Sequence, residues 1–175
     1  RRRLDQLTLF AFSTENWKRP RDEVDWLMAL FARFLVDERD ELMENDVRLV
    51  SIGRTDEMPA EVQEALETTR ALTADNAGMT LCLAVNYGAR REIADAARRL
   101  AEDAVAGRVD VSRLDPEALE ASLAERLYQP DMPPLDLLVR TAGESRLSNF
   151  LLWQMSYGEF HVTDVTWPEF REEHF

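Results

Sequence analysis

The sequence predicts an α/β protein with a mostly parallel central sheet and helices on both faces. Short apolar runs alternate along the chain with longer segments whose apolar residues recur every three or four positions. This alternation is typical of parallel strands joined by crossover helices. Several of the short runs are almost continuously apolar, as expected for strands that are covered on both faces.

The first half of the chain contains three predicted strands and two predicted helices. Each strand is a short apolar run closed by a polar residue or glycine, and each helix begins near a proline, which suits a first helical turn. The predicted strands are residues 7–12, 47–52 and 79–85, and the predicted helices begin after Pro20 and at Pro59.

The second half continues the alternation. Helices are predicted around residues 93–100 and 119–127, and strands at 135–139 and 160–165, the first of them preceded by two prolines. The run 150–157 is compatible with a helix, and residues 169–175 with the opening of another. Because no repeat or linker interrupts the pattern, we expect a single domain spanning residues 1–175.

The charge balance excludes one class of partner. The chain has 21 Lys and Arg residues against 34 Asp and Glu, a formal net charge of −13. This charge opposes binding to nucleic acid, so any anion site must be local. One cysteine, Cys82, excludes an internal disulfide and fits a reducing compartment. No apolar run approaches the ~20 residues that cross a bilayer.

The first candidate segment follows the first predicted strand. Ligands of parallel α/β folds bind beyond the carboxyl ends of strands, where Ser13, Asn16, Trp17 and Arg19 lie in this sequence. An apolar ring beside cations suits a ligand with an anionic head and an apolar tail. The alternative is structural: Ser13 forms a turn, Asn16 caps a helix and Arg19 is a solvated charge.

The second candidate segment follows the fourth predicted strand. Arg140 and Arg146 flank a turn containing Gly143, and Ser148 lies beside the helix-compatible run. Guanidinium groups bind phosphate oxygens through two hydrogen bonds, so this segment predicts a diphosphate site. The alternative is a structural Arg–Glu network through Glu144. Neither GxxxxGK[ST] nor GxGxxG occurs, which disfavours nucleoside triphosphates.

A single carboxylate is the candidate metal ligand. Glu159 precedes the last predicted strand and could hold Mg²⁺ together with substrate phosphates. The two histidines, His161 and His174, lack the spacing of metal ligands.

Three motifs occur in a fixed order: FSTENWKRP followed by Glu23, NYGARREI from Asn86, and DLLVRTAGESRLSNFLLWQ from Asp136, closed by Tyr157 and Trp167-Pro168. Together they resemble the cis-prenyltransferases, the family that includes undecaprenyl diphosphate synthase. The resemblance covers essentially the whole chain and implies the cis-prenyltransferase fold, with five of its about six strands present here.

The resemblance implies an activity. Members of the family condense isopentenyl diphosphate with an allylic diphosphate, commonly farnesyl diphosphate, and release diphosphate. Each new double bond is cis, and the product is a polyprenyl diphosphate such as undecaprenyl diphosphate. The resemblance also implies Mg²⁺ as cofactor, a homodimer, a cytoplasmic location and peripheral membrane association of the product.

The resemblance also implies roles for single residues. Ser13 and Asn16 would orient isopentenyl diphosphate and assist proton removal, and Trp17 and Glu23 would position substrate. Arg19 would help to hold the allylic diphosphate, and Glu159 would support the metal. Arg140, Arg146 and Ser148 would hold isopentenyl diphosphate. The apolar helix from Val24 to Leu35, with Met28, Phe31 and Phe34, resembles the wall of the product tunnel, and Ala11 is small where a bulky residue shortens products.

The chain departs from the family pattern in ways that leave alternatives open. The family's Asp-Gly-Asn segment, with its principal Mg²⁺-binding aspartate, does not occur here, so we expect that the N-terminal segment and the C-terminal end are missing. Ser145 replaces a histidine of some relatives. One alternative is a non-catalytic partner subunit of a two-component enzyme, although such subunits lose the motifs kept here. Another is a plain anion-binding module.

Overall fold

The computed structural model describes residues 4–174 of the chain. They divide into two compact units, one ending at Gly88 and the other beginning at Ala89.

The first unit is built from parallel strands and long helices. Its strands are β1 (Gln6–Ser13), β2 (Arg48–Ile52) and β3 (Thr80–Tyr87), its helices are α1 (Arg21–Asp37), α2 (Arg39–Glu44) and α3 (Ala60–Leu72), and short 3-10 turns span Thr14–Lys18 and Thr55–Glu57.

The three strands form one parallel sheet with β3 at its centre. Leu9 of β1 and Ser51 of β2 both pair with Leu83, and the β1 register shifts beyond Phe10. The stretch 82–87 is buried, as expected for a central strand with near-continuous apolar sequence. The arrangement brings the carboxyl ends of all three strands to one edge, where the two 3-10 turns begin.

The core of this unit lies between the sheet and the helices α1 and α3. On α1, apolar residues at steps of three and four form one buried stripe, which is the face that an amphipathic helix presents to its core. Each such side chain contributes about 1.5–3 kcal/mol when it leaves water. The buried helical residues are Val24, Met28, Ala32 and Leu35 of α1 and Val62, Ala65 and Leu66 of α3. Trp26, Leu30 and Phe34 of α1 remain exposed.

A glycine permits the close approach of two strand ends. Gly53, directly after β2, has φ +114°, and a Cβ atom there would lie 2.0 Å from the carbonyl oxygen of Val85. Only glycine fits, because both the backbone conformation and the space exclude a side chain. The contact holds the residues after β2 against the end of β3.

The second unit has longer connections and a smaller sheet. Its helices are α4 (Ala89–Val105) and α5 (Pro116–Ala124), its strands are β4 (Leu137–Arg140) and β5 (Glu159–Val162), and 3-10 turns span Val111–Arg113, Gln154–Tyr157, Trp167–Glu169 and Glu172–His174. The two strands are parallel, with Leu137 opposite Glu159 and Arg140 opposite Val162. Asp115 caps α5, and Pro116 occupies its first turn.

Polar groups are buried within the second unit and are held by hydrogen bonds. Glu92 of α4 is 1% exposed and accepts hydrogen bonds from the backbone N–H of Tyr128 (3.1 Å) and the Gln154 amide (3.2 Å). The buried carboxylate of Asp95 accepts from the Tyr128 hydroxyl at 2.6 Å. These bonds offset the cost of removing charge from water and tie the segments after α5 and after β4 to α4.

The predicted fold class is confirmed, and so is the position of every predicted strand. The strands form sheets of three and two rather than one continuous sheet within the described residues. The prediction of a helix over 150–157 is wrong: Leu151 has φ +47°, which an α-helix does not accommodate, and the segment forms turns. In the segment 169–174, Glu169 ends one 3-10 turn and Glu172–His174 forms another, and Phe175 lies outside the described residues.

No helix among residues 4–174 combines the length and the apolar character that crossing a membrane requires.

Candidate active site

The turn after β1 brings five of the predicted site residues together. Ser13 closes the strand, and its backbone N–H donates to Asn16 Oδ1 at 2.8 Å, while its hydroxyl oxygen accepts from the backbone N–H of Glu15 at 3.0 Å. Ser13 and Asn16 thus form a capping box, so the structural interpretation of this pair describes a real contact. The Asn16 amide nitrogen has no hydrogen bond to another residue in the range 4–174.

Trp17 is held on one side and open on the other. Its ring lies edge-on to Phe12, with centroids 5.1 Å apart, and its indole N–H donates to Asn86 Oδ1 at 2.7 Å. The side chain is nevertheless 37% exposed. This arrangement presents a fixed apolar surface beside the polar residues of the turn.

Arg19 and Glu23 lie at the junction of the turn and α1. The guanidinium Nη1 of Arg19 donates to Glu23 Oε1 at 2.6 Å, and both side chains are close to half exposed. Such an exposed pair contributes little to stability, about 0–1 kcal/mol, so a stronger anion can replace the carboxylate at low cost. Glu23 keeps the guanidinium at the end of the turn.

The loop after β4 brings two further predicted site residues together. Arg140, the last residue of β4, donates to Glu144 Oε2, and Arg146 donates to Glu144 Oε1 at 2.5 Å. The Arg–Glu network considered from the sequence is therefore present. It also shows that a single anionic group contacts both guanidinium groups at once. The Arg140 Nε atom is buried and makes no hydrogen bond to the described part of the chain.

The backbone of this loop is unusual. Ala142, Ser148, Asn149 and Leu151 all have positive φ, as does Gly143. Strained conformations of non-glycine residues persist only where the surroundings enforce them, and they cluster at functional sites. Here the enforcing contacts include the backbone N–H groups of Ala142 and Gly143, which donate to Val165 and Thr163 at 2.9 Å each.

Within the described residues, Ser148 and Glu159 make no hydrogen bond or ion pair with the two arginines. Ser148 is partly exposed, with φ +51°, and the expectation of a helix beginning beside it is wrong because the following residues form turns. Glu159 begins β5 with an exposed side chain. Within residues 4–174, neither side chain hydrogen-bonds to another residue.

Glu159 fits Mg²⁺ as one ligand of several. No three His, Cys, Asp or Glu side chains among the described residues lie close enough to form a metal site. Mg²⁺ commonly takes one or two protein carboxylates and completes its shell with water and substrate phosphates. An exposed carboxylate at the start of a strand suits that arrangement.

The helix predicted as a tunnel wall has two different faces. Val24, Met28 and Leu35 are buried in the core, which is the ordinary role of such spacing, whereas Phe31 is partly buried and Phe34 is 54% exposed. Ala11, at the register shift of β1, is exposed.

Sequence reasoning assigned no role to two asparagines that organise these segments. Asn86 binds Trp17, and Asn149 caps α4 by accepting from the backbone N–H of Ala89 (2.8 Å) and of Arg90 (2.9 Å). Both lie within the quoted motifs, NYGARREI and RLSNFLLWQ, so the motifs were the available signal. The motifs do not show which distant residue each asparagine contacts, and the fold is needed to show it.

The fold and these segments define an α/β protein with parallel strands and guanidinium-bearing turns at strand ends. The model of a family described as putative undecaprenyl diphosphate synthase matches residues 1–175. The chain belongs to this family.

Relatives agree with that membership. The chain is 45% identical over 168 residues to an isoprenyl transferase of Bacillus thuringiensis, covering 96% of this chain and 64% of the relative. It is 48% identical to a Thermobifida fusca trans,polycis-polyprenyl diphosphate synthase ((2Z,6E)-farnesyl diphosphate specific), covering 97% and 58%. The chain thus spans about 60% of the length of these relatives.

A solved structure matches as well. Lavandulyl diphosphate synthase from Lavandula x intermedia, crystallised with dimethylallyl diphosphate, superimposes with a TM-score of 0.89 at 36% identity, covering 97% of this chain and 72% of that one.

Proposed function

We propose that the protein is a chain-elongating cis-prenyltransferase that condenses isopentenyl diphosphate with an allylic diphosphate. Farnesyl diphosphate is the allylic substrate that we propose first. The product is a cis-polyprenyl diphosphate such as undecaprenyl diphosphate, and diphosphate is released. Family membership and the names of the relatives support the reaction class. The observation that carries the proposal is the shared contact of Arg140 and Arg146 with one carboxylate.

That contact has a direct chemical meaning. Each oxygen of Glu144 pairs with one of the two guanidinium groups, and two oxygens of a diphosphate would make the same pair of contacts. A charge-assisted hydrogen bond contributes about 1.5–3 kcal/mol, so a diphosphate with more charge and more oxygens competes well with one carboxylate. In the proposal, Arg140 and Arg146 bind isopentenyl diphosphate, and Ser148 adds a hydroxyl donor.

The turn after β1 serves the reacting end of the substrates. The allylic C–O bond breaks and the diphosphate leaves with its electron pair. The isopentenyl double bond then forms the new C–C bond, and the isopentenyl unit loses a proton. Arg19 holds the allylic diphosphate and stabilises its growing negative charge. Ser13 and Asn16 orient isopentenyl diphosphate and assist proton removal, and the amide donors of Asn16 are available for this. Trp17 and Glu23 position substrate.

The metal and the product need further groups. Glu159 would hold Mg²⁺ together with oxygens of the substrate phosphates, and the bound ion would supply positive charge that stabilises the leaving diphosphate. A growing polyprenyl tail needs an apolar wall, and the exposed Leu30 and Phe34 of α1 together with the uncovered Ala11 support a wall on this unit and a medium or long product. Met28, on the same helix, is buried in the core.

The organisation of the protein also remains a proposal. We propose one catalytic domain over residues 1–175, in agreement with the extent of the family match. A homodimer, a cytoplasmic location and peripheral membrane association of the product complete the proposal. Size-exclusion chromatography with light scattering tests the dimer, and a single species of monomer mass contradicts it.

The activity is tested with the full-length protein. It is incubated with Mg²⁺, labelled isopentenyl diphosphate and, in separate reactions, dimethylallyl, geranyl or farnesyl diphosphate. We expect butanol-extractable label with at least farnesyl diphosphate, and mass spectrometry gives the chain length. No extractable product with any primer contradicts the proposal. It would favour the non-catalytic partner subunit, which no observation on the described residues otherwise supports.

A further inference from the structure

Asn86 occupies a special position at the carboxyl end of β3. It is 1% exposed and has φ +48°, a left-handed conformation that asparagine adopts more readily than most other residues. Glycine would satisfy the backbone equally well, so the conformation alone does not explain the side chain.

The side-chain amide is bonded through both ends. Its Oδ1 accepts from the Trp17 indole N–H at 2.7 Å. Its Nδ2 donates to the carbonyl oxygen of Arg54 and to Glu57 Oε2, each at 3.0 Å. These bonds fix the direction of the amide, because a reversed amide would place its oxygen against two acceptors and its N–H₂ group against a donor.

The bonds connect the segments that follow all three strands of the sheet. Trp17 lies after β1, Arg54 and Glu57 lie after β2, and Asn86 ends β3. The connection is reinforced by the Arg54 backbone N–H, which donates to the Asn86 carbonyl at 3.3 Å, and by an Arg54–Glu57 ion pair of 3.1 Å. A buried, fully bonded amide of this kind is rigid.

We propose that Asn86 is a positioning residue that acts through Trp17. It holds the Thr14–Lys18 turn against the carboxyl edge of the sheet, so that Asn16 and Arg19, on either side of Trp17, keep a fixed place. The capping box lies within the turn and does not anchor it to β2 or β3. The inference rests on the proposed function, in which Asn16 and Arg19 contact substrate. A displacement of about 1 Å at such groups costs up to about a hundredfold in rate.

The test is made on the full-length protein with ¹⁵N-labelled tryptophan. Each tryptophan gives one indole N–H signal, and the Trp17 signal is the one missing from Trp17→Phe. In Asn86→Ala we expect this signal to move upfield and its hydrogen exchange to accelerate, while the signals of Trp26, Trp153 and Trp167 stay in place. We expect kcat to fall about tenfold or more, with less than a threefold change in KM for isopentenyl diphosphate.

Trp17→Phe is the milder variant, because it keeps a ring against Phe12 and removes only the N–H donor and part of the ring system. If Asn86 acts through this donor, the rate losses of Asn86→Ala and Trp17→Phe do not add in the double variant. Additive losses, or an unmoved Trp17 signal in Asn86→Ala, overturn the inference.

Asn76→Ala is the matched control. Like Asn86, Asn76 donates two hydrogen bonds through Nδ2 within the first unit. Its acceptors are the backbone carbonyls of Leu42 (3.2 Å) and Val47 (2.8 Å). We expect it to lose stability with the Trp17 signal and kcat unchanged; a shift of that signal in Asn76→Ala overturns the assignment to Asn86. If the parent protein makes no polyprenyl product, the proposed function fails, and the indole signal alone decides whether Asn86 holds the turn.

Discussion

Glu144 is the acidic residue of the loop in which we propose the diphosphate site. Its carboxylate contacts Arg140 and Arg146 together, so two cations that would otherwise repel each other are held close in a chain of net charge −13. The three charges sum locally to a single positive charge. The ion-pair interpretation and the diphosphate interpretation of this loop are therefore compatible, because the same geometry serves both.

Arg146→Ala tests the diphosphate interpretation. Arg146 is the more exposed of the two arginines, so its removal leaves the strand end at Arg140 intact. We expect KM for isopentenyl diphosphate to rise at least about tenfold, the loss of a charge-assisted hydrogen bond, with the allylic KM little changed. Steady-state kinetics with each substrate varied measures both. Arg113→Ala, an exposed arginine paired with Asp110, is the control, and an unchanged isopentenyl KM in Arg146→Ala removes that residue from the site.

Gly53→Ala tests the close approach of β2 to β3. The added Cβ atom would meet the Val85 carbonyl at 2.0 Å in a backbone conformation with φ +114°. We expect the free energy of unfolding to fall by about 3 kcal/mol, measured by urea denaturation. Gly107→Ala is the control: its φ is +72° but the space around it is open, so about 1 kcal/mol is expected. Equal losses in the two variants would show that the Val85 contact is not limiting.

At the level of elements, the sequence predicted strands better than it predicted the segments between them. Each predicted strand lies within a few residues of an observed one, because a buried strand needs a local apolar run. The helix expected over 150–157 does not form. The apolar residues of this segment fit a helical period, but the positive φ values at Ser148, Asn149 and Leu151 exclude a helical start. Asn149 contacts the start of α4, a long-range contact that apolar periodicity does not contain.

For the candidate site as well, some features could be predicted from the sequence and others could not. Residue types predicted the cations of the two segments and the cap formed by Ser13 and Asn16. The hydrogen-bond partner of Trp17, Asn86, is 69 residues away and depends on which strands are neighbours, so it needed the fold. The carboxylate that binds both arginines, Glu144, is close in sequence and was considered from the sequence. The NYGARREI motif contains Asn86, but the motif alone did not show that Asn86 accepts a hydrogen bond from Trp17.

Asp103 joins the far ends of the second unit's helices. It lies near the end of α4 and accepts hydrogen bonds from Arg126, beyond α5, at 2.7 Å and from Arg108 at 2.8 Å. The hydrogen bond from Arg126, then that from Arg108, lowers the pKa of Asp103 below its ordinary value of 3.8. A carboxyl group whose pKa falls on folding stabilises the protein above its unfolded pKa, and this contribution is lost as the pH falls through the folded value.

Asp103→Asn tests this element contact. We expect the variant to be less stable than the parent at pH 7, with the difference shrinking as the pH falls below about 4. Urea denaturation across this range gives the free energy of unfolding at each pH. A difference that stays constant down to the lowest pH would assign the loss to packing and not to the charge of Asp103.

At the scale of the whole molecule, burial is unevenly distributed. The strand β3 is almost completely enclosed, and its neighbours in the first unit supply a continuous apolar core. In the second unit all four residues of β5 are exposed, and buried carboxylates replace part of the apolar interior. Local opening needs less free energy where fewer apolar groups are enclosed.

Hydrogen exchange measures this difference directly. We expect the amides of β3 to exchange at least about a hundredfold more slowly than those of β5, because β3 opens only when the first unit unfolds. Mass spectrometry after peptic digestion, or NMR, follows both strands in one sample. Equal protection of the two strands would mean that the protein opens as one cooperative body.

The burial of β3 also limits the reactivity of the cysteine that lies in this strand. Cys82, the one cysteine in the sequence, has no exposed surface at the centre of that strand. Oxidants and electrophiles in solution therefore do not reach the Cys82 sulfhydryl group in the folded state, and a covalent crosslink through Cys82 requires β3 to open first.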